Sequence, residues 1–335
     1  MNKTLIGLIA LVLIVGLFAF GTNAQQSPEL TEADRLHERV IEFFYEKKFT
    51  EALPLAKRAA ELREKTLGLA NEKTLASLKN LASVYSEMRK TGDAVAVREK
   101  VLNAEESLFG ASSTKLCDNL SKLGWAYVHN RDFNDAEKAF KRNLQIKEMI
   151  FGTESKELLP ELNDLSIFSK QKRELENSIG YLKRMVAIKE KENSNSIYLA
   201  ELLADCAAIL RQLKNSAEAD ECVNRAKAIY ISPANLTDSL QIAMLPSQVL
   251  QSYATAKAAP PYPLEAKQVR AQGAVEVLVE TNEDGIVTSA KAMSGRNELR
   301  KGAEEAASKW RFANPVINGK TIKLRGILIF NFTIQ

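Results

Sequence analysis

A repeat of 42 residues constrains the first two thirds of this 335-residue chain more than any other feature. Gly68, Gly110 and Gly152 follow that spacing, and each closes a segment of the same kind. Small residues that open a helical pattern recur at intervals of 42, 42, 42 and 41 residues, at Ala52, Ala94, Ala136, Ser178 and Ala219. The pattern predicts stacked helical hairpins, because a single hairpin cannot bury its apolar face alone.

The third repeat shows how two helices of a hairpin are expected to meet. Leu120 and Leu123 lie on one predicted helix face. Gly124 and Ala136 are small at the point where two helices must approach closely. Phe140 is expected to fill the gap between them.

These residues, with Tyr127, resemble the tetratricopeptide repeat, and the 42-residue period is similar to the kinesin-light-chain-like variety. Five hairpins are predicted, at 31–67, 73–109, 115–151, 157–191 and 199–231. The resemblance implies a groove that is lined by the first helix of each pair and binds an extended or helical peptide. The candidate groove residues are those off the core face: Lys79, Asn80, Ser83, Glu87, Ser121, Trp125, His129, Asn163 and Lys170. Trp125 is either an interface anchor or a side chain packed on its neighbour.

The chain changes character at about Ala258. A Pro-rich cluster breaks the helical pattern, and Val275, Val277 and Val279 then alternate with other residues as in a half-buried strand. The segment "NEDG" predicts a hairpin turn at Gly285. An amphipathic helix ("ELRKGAEEAASKWRF") and a long last strand ("KTIKLRGILIFNFTI") follow.

The order of features in this segment resembles the C-terminal domain of TonB-family proteins. They are Tyr262-Pro263, Ala266, Gly273-Ala274-Val275, Asp284-Gly285, Ser294-Gly295, Leu299, Trp310, Phe312, Pro315, Asn318-Gly319-Lys320 and Phe330-Asn331-Phe332. The resemblance implies a small, helix-backed antiparallel sheet in the periplasm. It also implies a binding role, in which the sheet pairs with a short extended segment of an outer-membrane receptor.

Strand addition of this kind needs a sheet edge with free backbone N–H and C=O groups. We predict the last strand, Leu324–Phe332, as that edge. The predicted contact residues are Lys323, Leu324, Arg325, Ile327 and Ile329. The alternative is that this strand is central or covered by a second copy of the chain. Residues 258–335 carry 11 basic and 8 acidic side chains, which favours an acidic partner only weakly.

The N-terminus predicts export. One Lys precedes the apolar run Leu5–Phe20, and Thr22 and Ala24 precede a cleavage point before Gln25, so residues 1–24 read as a signal peptide. The run is shorter than the roughly 18 residues of a spanning helix. It is also longer than most signal-peptide cores, which leaves an uncleaved inner-membrane anchor as the alternative. Either form places the rest of the chain in the periplasm or cell envelope.

No sequence motif indicates catalysis, a cofactor or a metal. His37 and His129 have no Cys, Ser or carboxylate partner at motif spacing, and no Gly-rich phosphate loop occurs. Cys117, Cys206 and Cys222 lack the spacing of a metal site and are interpreted as core residues. A Cys206–Cys222 disulfide is the alternative. The net charge of +4 is too small to indicate nucleic acid as a partner.

The sequence therefore predicts an α-helical repeat region (31–231), a linker or capping segment (232–257) and a small α+β domain (258–335). The predicted function is a non-enzymatic cell-envelope adaptor that binds proteins or peptides through both modules and is linked to outer-membrane transport. The alternative is a TonB-like energy transducer with an uncleaved anchor. Against it, Leu5–Phe20 carries none of the polar residues expected of a proton-coupled contact. A homodimer formed through the C-terminal domain is a further expectation.

Overall fold

The computed structural model describes residues 27–236 and 242–333. These divide into two compact units, with the boundary between Ile146 and Lys147. The predicted signal or anchor segment, residues 1–24, lies outside the described residues. In the part of the chain that is described, no helix is long and apolar enough to cross a membrane.

The first unit is built from helical hairpins. Its helices are α1 (Pro28–Tyr45), α2 (Phe49–Leu67), α3 (Glu72–Glu87), α4 (Thr91–Phe109), α5 (Cys117–Asn130) and α6 (Phe133–Phe151), the last of which continues past the boundary. Leu78, Leu81 and Val84 of α3 are buried against small residues such as Ala56 and Ala60 of α2. Small residues on one helix and leucines on the next let consecutive helices pack closely.

The 42-residue period sets the helix ends as well as the helix faces. The first helices of the second to fifth hairpins begin, directly or after one 3-10 turn, at a residue whose side chain accepts a backbone N–H: Asn71, Ser113, Ser155 and Ser196. Such caps satisfy donors that a helix start leaves without partners. The second helices end at Gly68, Gly110 and Gly152, whose φ angles are 81°, 86° and 82°. This left-handed region favours glycine.

The turn inside each hairpin holds a basic residue in the left-handed region. These residues are Lys47, Arg89, Arg131, Arg173 and Lys214, with φ angles of 59°, 56°, 68°, 62° and 61°. That conformation costs an ordinary residue about 1–2 kcal/mol. Since neither glycine nor asparagine stands at these positions, composition alone does not reveal the turn.

Ion pairs between successive second helices follow the same period. In the first unit Glu64 pairs with Lys100 at 2.6 Å, and Glu106 pairs with Arg142 at 2.5 Å. In the second unit Glu148 pairs with Arg184 at 2.6 Å, and Glu190 pairs with Arg225. The side chains of these pairs are partly exposed, so each pair contributes at most about 1 kcal/mol, and their main effect is to favour one register of stacking.

The second unit contains the remaining hairpins and a sheet region. Its helices are α7 (Leu159–Gln171), α8 (Leu175–Glu192), α9 (Ile197–Gln212), α10 (Ser216–Tyr230), α11 (Ser247–Gln251), α12 (Leu264–Gln268) and α13 (Asn297–Ser308). Its strands are β1 (Ile242–Leu245), β2 (Ala254–Ala256), β3 (Gly273–Thr281), β4 (Val287–Ala292), β5 (Arg311–Phe312), β6 (Val316–Ile317), β7 (Lys320–Thr321) and β8 (Lys323–Phe332).

Four of these strands form the main sheet, in the order β1-β8-β3-β4. β3 is antiparallel to both β4 and β8, whereas β1 runs parallel to β8. Helix α13 packs against β3, β4 and β8. The face that includes Val275, Val277 and Val279 is fully buried, as are Leu299 and Ala303 of α13. The predicted fold class, helical repeats followed by a small α+β domain, is thereby confirmed, with one parallel strand added.

The predicted linker or capping segment, residues 232–257, is not a linker in its second half, where a helix packs on the last hairpin as a cap would and two strands join the sheets. Residues 242–256 hold β1, α11 and β2, and they pair with β8 and β5 of the sheet. Helix α11 also packs against α9 and α10. The segment therefore joins the last hairpin to the sheet, because its short apolar stretches find partners in both.

The close helix approach predicted in the third repeat is present. A Cβ atom on Gly124 would lie 2.5 Å from Cε1 of Phe140, and Ala136 is fully buried. Glycine is therefore required at this position by space and not by backbone conformation.

We expect Gly124→Ala to lower the free energy of unfolding by about 1 kcal/mol, measured by urea denaturation. The substitution gains up to about 1 kcal/mol of helix propensity but overpacks the ring at a cost of about 1–3 kcal/mol. Gly180→Ala is the matched control, since Gly180 is an exposed residue inside α8 with nothing within 4 Å of its added Cβ. That variant should be more stable than wild type. Equal gains in both variants would contradict the packing argument.

We expect Gly326→Val to detach β1 from the sheet. A Cβ on Gly326 would lie 2.3 Å from the carbonyl oxygen of Leu245 in β1. Backbone amides of β1 should then exchange hydrogen faster, and the free energy of unfolding should fall by about 1–3 kcal/mol. Ile327→Val, at an exposed side chain of the same strand, is the control. Unchanged protection of β1 in the Gly326 variant would rule out this close approach.

Candidate functional site

Seven predicted groove residues lie on α3 and α5 of the first unit, and Lys79, Ser83 and Trp125 are among those that make contacts within the fold. The Nζ of Lys79 lies 2.6 Å from Oε1 of Glu105, a side chain that is 1% exposed. Ser83 donates to the backbone carbonyl of Lys79 at 3.0 Å and accepts from Arg98 at 3.4 Å. Asn80 and Ser121 are half-buried, and Glu87 and His129 are exposed. Lys79 and Ser83 therefore contribute to packing between α3 and α4.

Trp125 packs on its neighbour. Its ring meets that of Phe140 edge to face, with centroids 5.2 Å apart, and the side chain is half-buried. This geometry favours the packing interpretation over a free interface anchor, since edge-to-face pairs stabilise helix contacts.

The last two predicted groove residues, Asn163 and Lys170, are exposed on α7 in the second unit. Whether any of the nine residues binds a peptide stays a prediction.

The residues on which the TonB-family resemblance rests make packing contacts, hydrogen bonds and turns within the C-terminal domain. The Trp310 ring packs edge-on against Phe330, and its Nε1 donates to the carbonyl of Ala258 at 3.0 Å. The Tyr262 hydroxyl donates to the carbonyl of Ala271. Phe312 is buried, Pro263 precedes α12, and Gly273 and Gly285 adopt positive φ. A Cβ on Gly285 would meet the carbonyl of Phe312, so the turn requires glycine.

The prediction that β8 is an edge strand is wrong for its first half. β1 pairs with β8 from Lys323 to Gly326, so Lys323, Leu324 and Arg325 are covered. The cause is the preceding segment of the same chain, which supplies a strand of its own. In the described residues, no strand pairs with Ile327–Phe332 on the side that faces away from β3.

The direction of backbone groups on this open half follows from the alternation along strands. The N–H of Met293, next to β4, donates to the carbonyl of Glu276, so Glu276 faces β4. Its neighbours Val275 and Val277 therefore face β8, where they pair with Phe330 and Leu328. The backbone groups of Ile329 and Asn331 consequently point away from β3, toward the open side.

The opposite edge of the sheet, β4, is partly capped. The N–H of Ala292 donates to Oε1 of Glu304 in α13 at 2.8 Å. The rest of β4 carries exposed polar residues, which include Thr288, Ser289 and Lys291. Charged and capped edges of this kind resist strand addition.

A groove of about 620 Å³ lies beside the open half of β8. The sheet contributes Met244, Glu276, Ile327 and Ile329, and the last hairpin contributes Ile197, Glu201, Tyr230 and Asn235. Ile327 and Ile329 are 36% and 42% exposed. Sequence reasoning missed the contribution of the last hairpin, since no local pattern places α9 and α10 beside a strand more than ninety residues further along.

The described residues show no sign of a metal or redox site. They contain no group of His, Cys, Asp and Glu side chains able to hold a metal ion. Cys206 and Cys222 are buried free thiols, and burial raises the pKa of Cys206 to about 12. Protonated, buried thiols are poor nucleophiles.

Comparisons with known proteins match two separate parts of the chain to known families. Residues 258–334 match the family model of the Gram-negative bacterial TonB protein C-terminal, and residues 120–156 match a tetratricopeptide repeat model. A search among curated proteins returned no match.

Solved structures similar to this one are helical-repeat proteins. Two are of a Podosopora anserina protein described as a putative kinesin light chain with nearly identical TPR-like repeats, one of them a variant with a single substitution. Each is 20% identical and covers 58% of this chain and 93% of its own, with TM-scores of 0.51 for the variant and 0.52 for the other. The apo form of RapI is 13% identical and covers 62% of this chain and 56% of its own, with a TM-score of 0.51. The chain thus joins helical repeats with the fold of kinesin-light-chain-like repeat proteins to a C-terminal region that matches the TonB C-terminal family model.

Proposed function

We propose that the protein is a non-enzymatic adaptor of the cell envelope. Its C-terminal domain binds an extended segment of a partner protein by strand addition to Ile327–Phe332, and its helical repeats bind a second protein. The families matched at residues 120–156 and 258–334 support a role in protein interaction.

The observation that carries the proposal is the half-covered strand β8. β1 stops at the level of Gly326, while β8 continues to Phe332. The backbone N–H and C=O groups of Ile329 and Asn331 point to the open side, where an added strand can pair with them. An unpaired strand edge beside an apolar groove is unfavourable in water. A bound partner strand would satisfy the backbone groups and cover the apolar surface.

The cellular setting is inferred from the two ends of the chain. The TonB-family match at 258–334 supports a place in a Gram-negative envelope, and outer-membrane transport proteins are the partners that the resemblance suggests. The N-terminal residues read as an export signal.

Strand addition is tested with the full chain and peptides selected from a random dodecamer display library. A selected peptide should bind with a measurable Kd, and N-methylation of alternate backbone nitrogens should weaken binding at least tenfold, because it removes strand hydrogen bonds. Ile329→Pro should weaken binding similarly, since that N–H faces the open side. Ile329→Val keeps the N–H and is the control.

If no peptide is enriched, or if N-methylated peptides bind as well as their parents, the strand-addition proposal fails. Circular dichroism of the proline variant separates loss of binding from loss of fold.

Export is tested by the intact mass of the protein recovered from a Gram-negative host. We expect a mature chain that begins at Gln25 in the periplasmic fraction, since cleavage is predicted there. A chain that begins at Met1 in the inner-membrane fraction would show an anchored protein instead. Recovery of the unprocessed chain from the cytoplasm would contradict the envelope location.

A further inference from the structure

The groove beside β8 is walled by two different parts of the second unit. One wall is the outer row of the sheet, with Met244 of β1 and with Ile327 and Ile329 of β8. The other is the last hairpin, where Ile197 lies at the start of α9 and Tyr230 at the end of α10. A strand added to Ile327–Phe332 would therefore lie against helical side chains as well as against the sheet.

The charged residues of the groove are both acidic. They are Glu201 of α9 and Glu276 of β3, and no basic side chain occurs among the described residues that line it. The nearest basic residue on β8, Arg325, is paired with Glu280 at 2.9 Å. Asp205 is a further carboxylate one turn beyond Glu201 on α9, and Lys170 of α7 lies close enough to offset part of its charge.

The pKa of Tyr230, a residue that lines the groove, reflects the same negative charge. Burial raises the pKa of the Tyr230 phenol, and the carboxylates of Glu201 and Asp205 raise it further. The local charge is thus opposite in sign to the small positive net charge of residues 258–335. Charges that line the groove affect the affinity of a bound peptide more than charges spread over the domain do. Binding displaces water that would otherwise screen the interaction between the peptide and the groove.

We propose that this groove selects extended segments in which a basic residue stands between apolar residues. The last tetratricopeptide hairpin supplies part of that selectivity through Glu201. This inference rests on the proposed strand addition and deepens it. Apolar side chains of the added strand pack on Ile327, Ile329 and Ile197. The basic side chain reaches the carboxylate of Glu201 and that of Glu276, which also accepts a hydrogen bond from the Ser294 hydroxyl at 2.9 Å.

The length of the open edge limits the occupant. β1 already covers Lys323–Gly326, so Ile327–Phe332 is the part of β8 that is open for pairing. At about 3.3 Å per residue, this span fits a segment of about six residues. A short linear motif in an extended region of a partner has these properties, whereas a preformed helix would not satisfy the strand edge.

The test uses the full chain and two fluorescein-labelled heptapeptides, Thr-Val-Thr-Lys-Thr-Val-Thr and Thr-Val-Thr-Glu-Thr-Val-Thr, in which the central charged residue lies on the same strand face as the valines. We expect the lysine peptide to bind about tenfold more tightly in low salt, and the preference to shrink as salt rises. Glu201→Gln should reduce the preference to about threefold or less, through weaker binding of the lysine peptide and, since a like charge is removed, tighter binding of the glutamate peptide. Glu305→Gln, on the exposed side of α13, is the matched control and should leave the preference intact.

The outcomes separate this inference from the proposal on which it rests. Binding of neither peptide, together with failure of the library selection, would remove strand addition itself. Equal binding of both peptides would overturn the selectivity while strand addition stands. A lysine preference that persists in Glu201→Gln and in the Glu201→Gln/Glu276→Gln double variant would show that the groove carboxylates do not cause it, and would also overturn the inference.

Other occupants of the groove give distinct results. A concentration-dependent dimer in sedimentation experiments, lost in Ile329→Lys, would assign the groove to a second copy of the chain. Much tighter peptide binding after replacement of residues 237–241 by a Gly/Ser segment would assign it to the chain's own residues before β1. Either result would overturn the choice of a partner segment as the occupant.

Discussion

The parallel pairing of β1 with β8 determines how the second unit is built. β1 follows α10 closely in sequence, and its four residues place the last hairpin beside the sheet. Gly326 makes the approach possible, because a larger residue would collide with the carbonyl of Leu245. The same pairing covers one half of β8 and leaves the other half open. Because β1 ends at the level of Gly326, the groove with its two acidic residues lies between the open half of β8 and the last hairpin.

The repeats depend on a different kind of constraint, in which polar groups recur with the period of the fold. Caps at Asn71 and Ser113, turns with left-handed basic residues, and ion pairs such as Glu106–Arg142 all return at the same interval. Each is worth little by itself. Because they agree at every repeat, they disfavour slipped stackings that apolar contacts alone would tolerate.

The helices, the three long strands and the tight contact at Gly124 could be predicted from the sequence because each rests on a local period or a short-range contact. The role of β8 could not. Its apolar alternation reveals a strand, but whether a strand is an edge depends on a partner far away in sequence. β1 is too short for its pattern to distinguish a strand from a helix. Trp125 shows the same limit, since its residue type fits both an interface anchor and a packing residue, and only the structure reveals the edge-to-face contact of its ring with Phe140.

The position of β1 also has a practical meaning for dissecting the protein. The family match begins at residue 258, after β1, α11 and β2. A fragment cut at that boundary would lose the strand that covers Lys323–Gly326 and would expose the buried side chain of Leu324 to water. Strand edges exposed in this way pair readily with other copies. Self-association of such a fragment would therefore be a property of the fragment and not of the intact chain, in which Ile242–Leu245 are part of the sheet.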